Sequence, residues 1–159
     1  MKRRNALILW LVGLALFVGC RGEQCQAIDY APYAEGLRQA GLKYPGAHVC
    51  ESERSELLDK LAQGHSEYQA RVDVQGHQGF DRRYAKIRDT LHMGAAEICA
   101  ESWDWQRNCT PLELGQEMFK CWRQSPGHWS VASRKHRFAG YGMAVGRRGV
   151  WYATILVAD

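Results

Sequence analysis

The fold is indicated by residues 110–129, which read TPLELGQEMFKCWRQSPGHW. Thr110 and Pro111 predict the start of a helix, because Thr is a common N-cap and Pro is favoured at the first helical position. Glu113 stands where it can complete a capping box with Thr110. The apolar side chains that follow recur on one helical face, and they are Leu114, Met118, Cys121 and Trp122. The helix is predicted to end at Ser125, because the residue before a proline disfavours helical geometry.

Two strand-like runs follow this helix, at residues 141–145 and 150–157. The turn sequence GRRG at 146–149 joins them, so they are predicted to be neighbouring strands. The second run contains Trp151 and Tyr152 and is otherwise almost wholly aliphatic. We therefore expect it to be a buried central strand.

The first half of the chain contains one clear amphipathic helix, predicted over residues 52–72. Its apolar stripe includes His65, which we interpret as a histidine at the edge of the core with a backbone hydrogen-bond partner. Shorter helices are predicted at residues 33–40 and in the segment that ends at Leu91.

The order of these features resembles the CAP superfamily, the secreted domains named for cysteine-rich secretory proteins, antigen 5 and pathogenesis-related 1. The residues that carry the resemblance are the helix after Thr110, the Ser-Pro-Gly-His sequence at 125–128, and the glycine-rich strand pair. The resemblance implies an α+β fold, an α-β-α sandwich with a small antiparallel sheet between helical layers. This domain would occupy residues 52–159, after an N-terminal extension at 20–51.

The resemblance also implies a cavity built from two histidines and two acidic residues of separate segments. The matching positions in this chain are His77, Glu97 and His128, while Ser125 stands where the second acidic residue is expected. Glu97 lies in the sequence GAAEICA at 94–100, which resembles the family's Gly-Glu-Asn-Leu-Ala segment. We therefore expect these four positions to line one ligand-binding cavity.

Two chemistries are compatible with this set of side chains. His77, Glu97 and His128 form a candidate ligand set for Zn²⁺ or another divalent metal, with an open position for water. The same groups could equally support general acid–base catalysis. A buried Glu97 is costly unless it is paired, so we expect a specific partner such as one of the histidines. Ser125 is interpreted as ending the helix rather than as a nucleophile, because the chain has no Gly-x-Ser-x-Gly sequence, and no catalytic residue is assigned.

Residues 1–19 are predicted to be an export leader, since a basic start precedes an apolar run too short to span a membrane comfortably. The sequence LFVGC at 16–20 resembles a bacterial lipobox, which makes Cys20 a candidate for lipidation and membrane anchoring. The alternative is an ordinary signal peptide and a soluble secreted protein. The leader carries three of the positive charges behind the formal net charge of +4, which leaves +1 for the remaining chain. A nucleic-acid partner is therefore not implied.

The chain has six cysteines, and an exported chain with this many is expected to contain disulfides. The predicted pairs are Cys99 with Cys121 and Cys25 with Cys50. Cys109 would be left over. It lies within an Asn-Cys-Thr glycosylation sequon. Because the leader resembles a bacterial one, we give this sequon little weight.

The leading functional hypothesis is a binding module in the cell envelope or the extracellular space. Its cavity would hold a divalent metal, a lipid-like ligand or an envelope partner. One alternative is a metal-assisted hydrolase that uses the same residues. Another is a structural surface domain whose histidines are vestigial.

Overall fold

The computed structural model describes residues 28–102 and 109–159. The predicted leader, Cys20 and Cys25 lie outside these described residues. Within the described part of the chain, no helix is both long enough and apolar enough to cross a membrane.

The described chain has an α+β fold with five α-helices and four strands. The helices are α1 Ala31–Lys43, α2 Glu56–Val72, α3 Phe80–Leu91, α4 Pro111–Gln124 and α5 Pro126–Ala132. The strands are β1 Glu53–Arg54, β2 Ala95–Glu101, β3 Phe138–Val145 and β4 Trp151–Ala158. They form one sheet in the order β1-β3-β4-β2. Because the two-residue β1 runs parallel to β3, the sheet is mixed rather than purely antiparallel as predicted.

Helix α4 begins at the capping box that the sequence predicted. The Thr110 side chain accepts a hydrogen bond from the Glu113 backbone, and the Glu113 carboxylate accepts one from the Thr110 backbone N–H. Pro111 occupies the first turn and the helix ends before Ser125, as expected. A second short helix, α5, follows at once and was not predicted.

Helices cover both faces of the sheet, which gives three layers. Helices α1 and α4 pack on one face, where the large, fully buried side chains include Leu37, Phe119, Trp122 and Tyr141. Helices α2 and α3 pack on the other face, where Leu58 and Ile87 meet Leu156. Helix α1 lies before the predicted domain start at residue 52, yet it contributes Leu37 and Ala40 to the same core.

Helix α2 lies unusually close to the sheet because β3 presents glycines to it. A Cβ atom added at Gly140 would lie 2.2 Å from the carbonyl carbon of Leu58, and one at Gly142 would lie 2.4 Å from that of Ala62. Only residues without a side chain permit this approach. It brings the polar residues of the next two turns of α2 within hydrogen-bond reach of β4.

The two faces of β2 explain why the predicted Cys99–Cys121 disulfide is not formed. Successive side chains of a strand point to opposite faces, and Ile98 belongs to the core on the α4 side. Cys99 therefore faces α2, where it is a buried free thiol with its Sγ 3.9 Å from Thr154 Oγ1. Cys121 lies on α4, across the sheet, with its Sγ 3.8 Å from the carbonyl oxygen of Glu101. Cys50 is also a buried thiol, and its predicted partner lies outside the described residues.

Candidate functional site

The predicted cavity residues gather at the outer edge of β2, where the loop at 73–79 and the start of α5 meet it. Gln75 ties the loop to this edge, since its Nε2 donates a hydrogen bond to the carbonyl oxygen of Cys99 at 3.2 Å. Strand alternation places Glu97 on the same face as Cys99, toward α2 and α3. The structure thus brings His77 from the loop and Glu97 from β2 into contact.

Glu97 is the most fully enclosed of these groups, with 1% of its side chain exposed. Arg83 donates two hydrogen bonds to the Glu97 carboxylate, from its Nε to Oε2 at 2.7 Å and from its Nη2 to Oε1 at 2.8 Å. His77 Nδ1 lies 3.0 Å from Oε1 and completes the set. The expected pairing of Glu97 with a histidine is therefore present, and the arginine that neutralises the carboxylate was missed. A signal for it existed, because Arg83 lies one turn before the buried Ile87 and shares its helical face.

His77 and His128 form a pair of neighbouring rings at the mouth of the site. Their centroids are 5.7 Å apart and their planes are tilted by 44°. The Glu97 carboxylate accepts from Nδ1 of His77, so this ring carries a proton on Nδ1 and presents Nε2 as its free atom. Burial, and secondly the neighbouring His77, lower the pKa of His128. The ring of His128 is therefore favoured in the neutral state that binds metal ions.

His65 lies close to Glu97, with 3.7 Å between its Nε2 and Glu97 Oε1, and it has the role expected for it. Its Nε2 donates to the carbonyl oxygen of Gly76 at 2.8 Å, and 1% of its side chain is exposed. Burial lowers its pKa, so the ring is neutral. Its Nδ1 is buried without a hydrogen-bond partner among the described residues.

A second set of ligand-type atoms lies deeper than the predicted one. Atoms of His65, Glu97 and Cys99 lie within 4.8 Å of one another, and of the described residues only this set meets that distance for three different side chains. Its groups are already engaged, because His65 Nε2 bonds Gly76 and Glu97 is held by Arg83. Burial and the adjacent Glu97 also raise the pKa of the Cys99 thiol well above its ordinary value. Apart from His65 Nδ1, the ligand atoms of His65 and Glu97 are thus already bonded within the protein, and this set is not an open cation site.

Ser125 lies near His128 and joins two helices. Its backbone N–H donates to Trp122 at the end of α4, and its carbonyl accepts from Trp129 in α5. Ser125 and His128 line a cavity of about 270 Å³ at the edge of β2. The other side chains that line it include Gln75, Cys121, Trp122 and Gln124.

The fold and this cluster define an α+β domain of three layers with a polar site at its sheet edge. No protein-family model matches the chain, and no curated protein matches it. Among solved structures, the chain is similar to an outer surface protein from Borrelia burgdorferi, with 16% sequence identity and a TM-score of 0.55. The match covers 80% of this chain and 88% of that one. At this identity the likeness shows a shared fold.

Proposed function

We propose that this chain is an exported CAP-type domain that acts as a binding module and holds a divalent cation between His77 and His128. The leader-like residues 1–19 support export, and Cys20 would anchor the protein to a membrane. The likeness in fold to an outer surface protein is compatible with a place in the cell envelope.

The observation that carries the proposal is the hydrogen bond from His77 Nδ1 to Glu97. Histidines that bind metals commonly donate the other ring N–H to a carboxylate, which fixes the tautomer and the orientation of the ring. Here that arrangement leaves Nε2 of His77 available beside the ring of His128. Glu97 then supports a ligand instead of being one, because Arg83 and His77 already occupy its oxygens.

Binding is better supported than hydrolysis. A general base must accept a proton, and Glu97 is the carboxylate bonded to His77. Its two oxygens accept three hydrogen bonds from Arg83 and His77, so it has little capacity to act as that base. His128 lines a cavity of about 270 Å³, which gives room for water or a ligand group on its side of the pair, whereas His77 and Glu97 do not line that cavity.

Calorimetric titration of Zn²⁺ tests the proposal, since imidazole ligands suit this cation. The protein would begin at Arg21, after the predicted leader. We expect micromolar or tighter binding that is lost in His77→Ala and in His128→Ala. His48→Ala is the matched control, because the His48 side chain is exposed and bonds only Glu51 among the described residues. Glu97→Gln should weaken binding by roughly 10–100-fold, the usual effect of losing a supporting carboxylate.

The Zn²⁺ titration of the parent protein decides whether the proposal stands. Absence of Zn²⁺ binding by folded parent protein would refute the proposal. Equal losses in the His48 variant would show that the binding is nonspecific.

A further inference from the structure

The loop at 73–79, which carries His77, is tied to the protein core through Gly76. Two buried side chains of α2 bond the two backbone polar groups of this glycine. The Gly76 N–H donates a hydrogen bond to Gln69 Oε1 at 3.0 Å, and the Gly76 carbonyl oxygen accepts one from His65 Nε2 at 2.8 Å. Gln69 and His65 lie four residues apart on α2 and therefore share a face of the helix. We call these two side chains, with the glycine that they hold, the Gly76 clamp.

Gln69 is in turn fixed by β4. Its Nε2 donates to Thr154 Oγ1 at 3.1 Å, and Ser66 Oγ donates to the same atom at 3.0 Å. Ser66, Gln69 and Thr154 are each 0% exposed. Because Oε1 of Gln69 must face the N–H of Gly76, Nε2 is the atom left for Thr154. The Gln69 amide therefore cannot turn over without losing both bonds.

The Gly76 clamp specifies where the loop lies relative to α2. A buried polar side chain destabilises a folded chain unless hydrogen bonds offset its loss of water. For Gln69 the offsetting bonds run to Gly76 and Thr154, and for His65 the bond from Nε2 runs to Gly76. A loop that moved away would leave these buried groups without partners. Buried networks of this kind favour one arrangement of the chain over its alternatives.

The position of the loop matters for His77, because packing holds its ring only in part. The side chain of His77 is 46% exposed. Its ring bonds Glu97 through Nδ1 at 3.0 Å and lies beside the ring of His128, with 5.7 Å between the centroids. Both contacts depend on the backbone that directly follows Gly76. Release of Gly76 would therefore let the ring of His77 move away from His128.

We propose that Gln69 and His65 are positioning residues, which hold the loop at 73–79 so that the rings of His77 and His128 stay side by side before any ligand binds. Neither residue would be a ligand itself, since Gln69 Oε1 and His65 Nε2 are engaged by Gly76. Where it concerns cation affinity, this inference rests on the proposed function. The arrangement of the two rings can be measured without a cation, so the two proposals can fail separately.

Nuclear magnetic resonance of the cation-free protein that begins at Arg21 tests the positioning role. We expect a nuclear Overhauser cross-peak between the ring protons of His77 and His128, since the rings are neighbours. Gln69→Leu and His65→Leu should each lose this cross-peak, because each removes one side of the clamp. His65→Gln should keep it, because the glutamine Nε2 can donate to Gly76 in place of the histidine Nε2.

Gln63→Leu is the matched control. Gln63 lies on the same helix, and its side chain likewise bonds both backbone polar groups of one residue, Met143 of β3. Its replacement removes a comparable pair of hydrogen bonds but leaves the loop at 73–79 alone. The cross-peak should therefore persist in this variant.

Calorimetric titration of Zn²⁺ gives the second measurement. Gln69→Leu and His65→Leu should bind Zn²⁺ about tenfold more weakly or less, as is usual when a residue that orients a ligand is lost. Gln63→Leu and His65→Gln should bind as the parent does. Zn²⁺ affinity that is unchanged in the two leucine variants of the clamp would show that the clamp does not set it.

Three results would overturn the positioning role itself. They are a cross-peak that is absent from the folded parent, one that survives both Gln69→Leu and His65→Leu, and one that is lost equally in Gln63→Leu. If Gln69→Leu does not fold, the comparison of His65→Leu with His65→Gln decides. A parent that shows the cross-peak but binds no Zn²⁺ would refute the proposed cation site and leave the positioning role standing. Circular dichroism and thermal unfolding establish that each variant is folded.

Discussion

The pair formed by Arg83 and Glu97 makes the stability of the domain sensitive to one substitution, Arg83→Met. Methionine retains much of the apolar stem but removes both hydrogen bonds to the Glu97 carboxylate. The exposed fractions of the two side chains are 12% for Arg83 and 1% for Glu97, so the pair is largely shielded from water. Removing one partner of a buried ion pair leaves an uncompensated charge and costs about 3–5 kcal/mol. That is a large share of the roughly 5–15 kcal/mol that stabilises a domain.

The measurement is a double-mutant cycle by urea unfolding. Adding Glu97→Gln to the Arg83→Met protein removes the stranded charge and should restore about 2 kcal/mol or more. Arg88→Met is the control on the same helix. Its arginine and its partner Asp89 are both largely exposed, so its loss should be within about 0.5 kcal/mol. If Arg83→Met costs less than about 1 kcal/mol, or costs the same with and without the Glu97 substitution, the argument from a buried charge is wrong.

Three further predictions concern α2 and its contact with β3. Gly140→Ala should destabilise the protein by about 3 kcal/mol or more, because its Cβ would lie 2.2 Å from the backbone of Leu58. Gly64→Ala should stabilise the protein by up to about 1 kcal/mol, because a Cβ atom there would meet no other atom within 4 Å. Similar unfolding midpoints for the two variants would contradict this reasoning. The free energy of unfolding should also fall as the pH drops below the ordinary histidine pKa of about 6.5, because burial lowers the pKa of His65 and only the unfolded chain then takes up the proton. His65→Gln should reduce this dependence between neutral and mildly acidic pH, and unfolding curves with unchanged slopes against pH would exclude His65 as its source.

Local signals in the sequence predicted much of the fold. The capping box at Thr110 and the breaks around Pro126 depend on neighbouring residues, and they fixed α4 almost to the residue. The apolar run of β4 predicted a buried strand, and every residue from Trp151 to Ala158 is buried. Helix α5 was missed because the Pro-Gly sequence that ends α4 also begins it, with Pro126 in its first turn.

The site was harder to predict because its contacts join distant segments. Arg83 is recognised as the partner of Glu97 only once the buried face of α3 is set against β2. The predicted Cys99–Cys121 disulfide was wrong for a related reason. Cys99 points to one face of β2, whereas α4, which carries Cys121, packs on the other. Glu97 and Cys99 are two residues apart on a strand and must share a face. The pairing of Glu97 with Arg83 of α3 therefore also shows on which side of β2 Cys99 lies.

The central place of β4 in the sheet has a consequence for how the chain folds during synthesis. Strands β2 and β3 both pair with β4, so neither has its main partner until β4 has been synthesised. Helix α1 packs against α4, which follows it by more than sixty residues, so this contact also cannot form until α4 has been synthesised. Such nonlocal contacts slow folding and leave apolar strands exposed meanwhile. For a chain that crosses a membrane before it folds, this delay would be an advantage, because no stable sheet could form until most of the described chain had emerged.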